Sequence, residues 1–227
     1  MYFGSYYWWF FLPGLLLGIY AQIKLSAAYS SFSRVGTAAG LSGAEAARDI
    51  LDRAGLQDVP IEMVGGHLTD HYDPTKRALF LSQDNYSGRS IASVGVAAHE
   101  AGHALQHKAA YAPLELRMKL VPITRFASAA WMGILILGMV LNMFQTFIWL
   151  AIGIFTVITI FQIVTLPVEF DASRRAKQQL SRMGIISPQE APGVEKVLSA
   201  AAMTYVAAMV ASLLQLARLL LIARNRD

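Results

Sequence analysis

Four stretches of the chain are apolar over the roughly 20 residues that a helix needs to cross a bilayer: 6–23, 126–144, 147–168 and 197–222. The first opens with Tyr6, Tyr7, Trp8 and Trp9, an aromatic belt of the kind found at a membrane–water interface, and closes at Lys24. No Lys or Arg precedes position 24, so the stretch lacks the basic leader of a secretory signal and reads as an uncleaved anchor over residues 1–24. The second and third meet at Gln145–Thr146 with no charge between them, which predicts a tight helical hairpin over 126–168. The fourth is rich in alanine, as suits a helix packed closely on neighbours, and forms the last membrane helix and tail over 197–227.

Between these stretches the pattern changes. Ser42 and Glu45 form a capping-box pair, and Ala47, Ile50, Leu51 and Ala54 make one apolar stripe that ends at Gly55. An amphipathic helix is expected there. Strands are expected near 60–64, 68–72 and 78–82, the last two forming a hairpin around the turn signal Asp73-Pro74. From Ser90 the run IASVGVAAHEAGHALQH has small residues nearly all round, predicting a buried helix with Gly95 and Gly102 at close contacts. A short amphipathic piece over 114–120 should lead to Pro122 and the second span. The chain therefore reads as an α-helical membrane protein with about four transmembrane helices and a small α+β insert at 25–125.

Composition supports this reading. Of the 227 residues, 55% are hydrophobic, and the mean hydropathy is +0.44; that is more apolar than a soluble domain usually is. Sixteen of the 19 Lys and Arg residues fall in two hydrophilic regions, 24–125 and 169–196. Four crossings place those regions on one side, and positive loops stay inside, so that side is expected to be cytoplasmic. Arg218, Arg224 and Arg226 run against the rule. No basic cluster is interleaved with aromatics, so nucleic-acid binding is not indicated. There is no cysteine, which excludes disulfides and thiolate metal sites. A transition metal would have to take imidazole nitrogen and carboxylate oxygen.

His99 and His103 are one helical turn apart on the same face, and Glu100 follows the first. In this H-E-x-x-H arrangement the two imidazoles bind zinc and the glutamate serves as general base toward a water in the open position. Ordinary core histidines would not account for a carboxylate on a buried, alanine-rich helix, where an unpaired charge costs several kcal/mol. His107 lies about 12 Å along the helix from His99, too far to share the ion, and is expected to support, cap or face an interface. The third ligand must then come from elsewhere. Glu169 is preferred, because it leaves the third span on the same side as the HEAGH helix. Asp171 is the alternative, or a partner that orients a ligating histidine. Both acids also suit the first turn of a helix, and His67, Asp70, His71 and Asp73 are reserves whose hairpin setting suggests turn chemistry first.

Three blocks of sequence, GHLTDHYDPTKRALFLS, SVGVAAHEAGHALQH and LPVEFDASRRA, resemble the bacterial membrane-bound neutral zinc metallopeptidases of the YugP type. The likeness covers nearly the whole chain. It implies a zincin-like insert and a Zn2+-dependent membrane protease with His99 and His103 as ligands and Glu100 as base. The wider group, with HtpX and the CaaX prenyl endopeptidase, takes its third ligand from a glutamate on a later helix and has an aspartate four residues further on. Glu169 matches the glutamate, but the fourth residue on is Ser173, and the aspartate comes at Asp171. In that group an edge strand ahead of the zinc helix pairs with substrate, a role that Ala78, Leu79, Phe80, Leu81 and Ser82 would take here.

The expectation is a multi-pass zinc endopeptidase of the cell membrane. Its site would face the cytoplasm, with the third ligand in a cytoplasmic segment over 169–196, and it would cleave proteins or peptides beside the lipid bilayer. The other reading is a membrane scaffold or binding protein with a structural zinc site. A metal transporter would want ionisable residues inside the spans, and there are none between Phe126 and Val168.

Overall fold

A computed structural model describes residues 8–224. Tyr6, Tyr7 and Arg226 lie outside the described residues. Seven helices and three strands follow in the order α1 (Trp8–Phe32), α2 (Gly43–Arg53), β1 (Ile61–Val64), β2 (His71–Asp73), β3 (Ala78–Ser82), α3 (Gln83–Ser87), α4 (Ile91–Lys108), α5 (Ala112–Val140), α6 (Phe144–Arg182) and α7 (Ala191–Arg224). The protein is mostly helical, and α1, α5, α6 and α7 are each long and apolar enough to cross a membrane. The chain divides into two compact units, one of residues 8–22, 115–167 and 204–224, the other of 23–114 and 168–203.

In the first unit, Ile148, Ile152, Phe155, Leu219 and Ala223 form a small core, and Trp131 meets Phe155 edge-on at 5.1 Å. Outside it, Trp9 and Phe126 are 76% and 73% exposed, as lipid-facing side chains would be. The hairpin turn falls three residues earlier than the polar pair Gln145–Thr146 suggests. Asn142 takes φ 53°, Met143 N–H donates to Gly138 O at 2.9 Å, and Asn142 N–H to Met139 O at 3.3 Å. This is a Schellman ending, and Asn is one of the few side chains that tolerates its left-handed position. Gly138 admits the partner helix: a Cβ there would lie 2.4 Å from that of Phe147.

The second unit is built around α4. Its Val94, Ala97, Ala98, Ala101 and Ala104 pack on Ile50 and Leu51 of α2, Leu79 and Leu81 of β3, Leu180 of α6 and Val194 of α7. The capping box on α2 forms in full, with Glu45 N–H donating to Ser42 Oγ and Ser42 N–H donating to the Glu45 carboxylate. β2 and β3 form the expected antiparallel hairpin, with Tyr72 opposite Leu79, and β1 pairs parallel to β3 with Ile61 opposite Leu79. The sheet order is therefore β1-β3-β2.

Three expectations need correcting. Ala78–Ser82 has no free edge: β3 is central, every one of its residues is buried, and its backbone groups are engaged on both sides. Strand addition to it is excluded. Among the described residues the outer strands of the sheet are β1 and β2. Next, no helix starts after the third span. The 39 residues of α6 run through Pro167 to Arg182, about 58 Å, so Glu169 and Asp171 are interior to a continuous helix and have no first-turn role. Proline removes one N–H from the ladder but does not stop a helix whose following residues, Ala172, Arg174, Arg175 and Ala176, are strong helix formers. In the same way 114–120 and Pro122 are absorbed into α5.

Candidate metal centre

Helix α4 presents His99 and His103 one turn apart, and α6 brings Glu169 to them across 70 residues of chain. Glu169 Oε2 lies 3.1 Å from His99 Nε2 and 3.6 Å from His103 Nε2. One donor atom from each residue falls within 4.8 Å of the others. Glu169 is 1% exposed, and a carboxylate so far from water must be matched by positive charge.

The other ring nitrogens show what that charge could be. Gln106 Nε2–H donates to the Val168 carbonyl at 2.7 Å and to Asp171 at 3.0 Å. A carbonyl only accepts, so the amide nitrogen is fixed on that side and Oε1 is left facing His103 Nδ1 at 3.0 Å. His103 must therefore carry a proton on Nδ1. When the ring is neutral, its Nε2 lone pair points toward a carboxylate oxygen 3.6 Å away. Two acceptors held face to face need a cation between them. His99 Nδ1 is likewise occupied, by Ser173 Oγ at 3.1 Å, which directs its Nε2 toward Glu169. Tetrahedral zinc with bonds of about 2.0–2.1 Å holds its donors roughly 3.3 Å apart, and the observed 3.1 and 3.6 Å bracket that spacing. The residues fit zinc in donor type, number and spacing.

The close approach of the two helices depends on Gly102. A Cβ at this position would stand 2.6 Å from the Ala172 carbonyl oxygen, so only glycine allows α6 to pass next to the two histidines. The supporting groups follow from this approach. Ser173 occupies the position four after Glu169 and takes over the orientation of His99. Asp171 reaches His103 only through Gln106, and is itself held by Arg174 and Arg175. Gln106 and Ser173 escape motif reading. Their signals are spacing alone, i+3 from His103 and i+4 from Glu169, which on a helix puts each on its partner's face.

Glu100 points toward the sheet. Its Oε2 accepts the backbone N–H of Tyr72 in β2 at 3.0 Å. Burial, with the nearby Glu169 and Asp70 charges adding to it against the opposing effect of His99, pushes its carboxyl up to about 7. His107 stays outside the cluster: its Nδ1 meets Tyr72 Oη at 2.8 Å, so Tyr72 ties β2 to α4 at two points. The four reserves are engaged away from the cluster. Asp73 caps Thr75 and Lys76, Asp70 binds Ser82 and Asn85, His71 contacts Thr69 O and His67 contacts Asp84.

Fold and cluster together define a helical membrane protein with a compact polar unit that carries a two-histidine, one-glutamate cluster beside a buried glutamate. The chain belongs to the family described as "Putative neutral zinc metallopeptidase", whose profile matches residues 7–224. It is 48% identical over 214 residues to the "Putative membrane protease YugP" of Bacillus subtilis (strain 168), covering 94% of this chain and 95% of that protein. No solved structure matches it.

Proposed function

We propose that the protein is a zinc endopeptidase, with His99, His103 and Glu169 as metal ligands and Glu100 as general base. The observation that carries the reading is the opposed pair of acceptors, His103 Nε2 and Glu169 Oε2, joined by His99 Nε2 on the same oxygen. A zinc ion held there would polarise a peptide carbonyl and acidify a water molecule. Glu100, buried on the turn that carries His99 and His103, would take a proton from that water and pass it to the leaving amine. Ser173 and Gln106 fix the two imidazoles, so little reorganisation is needed during turnover.

Substrates are extended segments of proteins or peptides at the membrane surface. The outer strand β2 runs beside Glu100, and such a segment could lie along it. The distribution of Lys and Arg supports a cytoplasmic site. Glu100→Gln should retain zinc and lose cleavage of a peptide substrate by at least ~100-fold, the lower range for a general base. Zinc retention with undiminished cleavage would overturn the assignment of Glu100. A scaffold with structural zinc predicts four protein ligands and no cleavage by either form.

A further inference from the structure

The first unit contains a surface furrow that the metal chemistry does not use. It has a volume of about 720 Å³ and is walled by Phe11 and Leu15 of α1, Trp131 of α5 and Phe155 of α6. Set in these apolar walls, at its α7 side, are Gln215 and Arg218. The Arg218 Nε–H is buried with no hydrogen-bond partner, and its Nη1 reaches Gln215 Oε1 only at 3.5 Å. Glu115 is the only carboxylate among the described residues of this unit, and it forms no ion pair with Arg218. A cation at the edge of hydrocarbon with no carboxylate paired to it among the described residues is costly, which favours a bound anion.

The dimensions narrow the choice. Along α1 the furrow runs from Phe10 to Gln22, about 18 Å at helical rise. One leaflet of a hydrocarbon core about 30 Å thick is about 15 Å deep. Four successive crossings make the first and fourth helices antiparallel, and Gly14 of α1 lies against Ala211 of α7. Arg218, two turns beyond Ala211, is therefore carried toward the end of α1 that bears Trp8 and Trp9. Exposed tryptophans mark headgroup depth, and both are more than half exposed. The furrow thus has a cationic end at headgroup level and an apolar trough as long as one leaflet.

We infer that this furrow binds an anionic phospholipid, with its phosphate on Arg218 and an acyl chain along α1 between Trp131 and Phe155. This gives one of the arginines that run against the charge rule a local purpose. It is independent of the metal site.

The test uses the full-length protein in phosphatidylcholine vesicles, with Trp8, Trp9 and Trp149 changed to Phe so that Trp131 alone fluoresces. Brominated phosphatidylglycerol should quench Trp131 with about tenfold higher affinity than brominated phosphatidylcholine, the scale of one charge-assisted hydrogen bond. Arg218→Gln should abolish the preference and Arg218→Lys should keep most of it, each with an unchanged melting temperature. A Cβ at Gly18 would meet nothing within 4 Å, so Gly18→Phe can fill the trough without disturbing the backbone; it should reduce quenching by both lipids. Equal quenching by the two lipids in the parent would mean bulk boundary lipid only and overturn the inference. So would a preference that persists in Arg218→Gln, or quenching that Gly18→Phe leaves unchanged.

Discussion

Replacing Gly102 by alanine tests the geometry of the cluster with a single methyl group. The added Cβ would stand 2.6 Å from Ala172 O, 3.2 Å from its carbonyl carbon and 3.3 Å from its Cα. All three are backbone atoms of α6 and cannot rotate away. Carbon–oxygen contacts settle at about 3.3 Å or more, so α4 and α6 would have to separate by roughly 0.7 Å at this point. The three donor residues sit on these same two helices: His103 one residue and His99 three residues from Gly102 on α4, and Glu169 three from Ala172 on α6. Metal–ligand distances tolerate only about 0.2 Å. The separation exceeds that severalfold, and Glu169 should lose its place on the ion. Zinc affinity should fall by about 100-fold, at the upper range for lost supporting contacts, with ~1–3 kcal/mol of fold stability lost to overpacking.

The assay is competition for zinc between the detergent-purified protein and a chromophoric chelator. Gly95→Ala is the control, since its Cβ would meet Val194 at 3.5 Å, an ordinary contact on the same helix. It should bind zinc as the parent does. If Gly102→Ala binds zinc as tightly as the parent, or if both variants weaken it equally, helix separation does not set the site.

Other expectations follow from the same structure. With metal chelated, the raised Glu100 carboxyl should make stability fall as pH rises. Below about 4.5 folded and unfolded states are both protonated; between there and about 7 only the unfolded state ionises, so roughly 3 kcal/mol is lost, and no more above. Melting curves of Glu100→Gln should lack that decline, and parallel curves for the two forms would refute the buried-acid account. Gln106→Leu leaves His103 Nδ1 without its acceptor and should weaken zinc ~10–100-fold, as read by the same chelator; unchanged affinity would remove Gln106 from the site. The native chain has no cysteine, so single probes label cleanly. In intact cells an impermeant maleimide should modify Met143→Cys, in the exposed α5–α6 turn, and spare Thr75→Cys in the β2–β3 turn. The reverse pattern would place the metal cluster outside the cytoplasm.

Features that depend on neighbours along the chain were legible in the sequence. The α2 capping box, the β2–β3 hairpin and the stripe bearing His99 and His103 are local, and each has the spacing its period demands. Glu169 could be reached through topology, because the two expected spans over 126–144 and 147–168 return its segment to the side of the HEAGH helix. The place of β3 was not legible. The short apolar run Ala78–Ser82 marks a strand but not its neighbours, and the parallel pairing with β1 depends on how residues 65–77 loop back. The continuity of α6 was hidden by Pro167, whose local cost is outweighed by the helix formers after it. Ser173 and Gln106 were hidden for another reason: serine and glutamine are common on helices, and only the contact fixed by Gly102 gives these two a partner.

The spacing of the donors along the chain has a consequence for biosynthesis. His103 leaves the ribosome long before Glu169, and at about 5–20 residues per second the interval is several seconds. During it the nascent chain holds two imidazoles and the buried acid beside them but lacks the carboxylate that completes the set. On the reading proposed above, a copy stalled or truncated before α6 is made would lack one of its metal ligands, and hydrolytic capacity would arrive only with a finished helical hairpin.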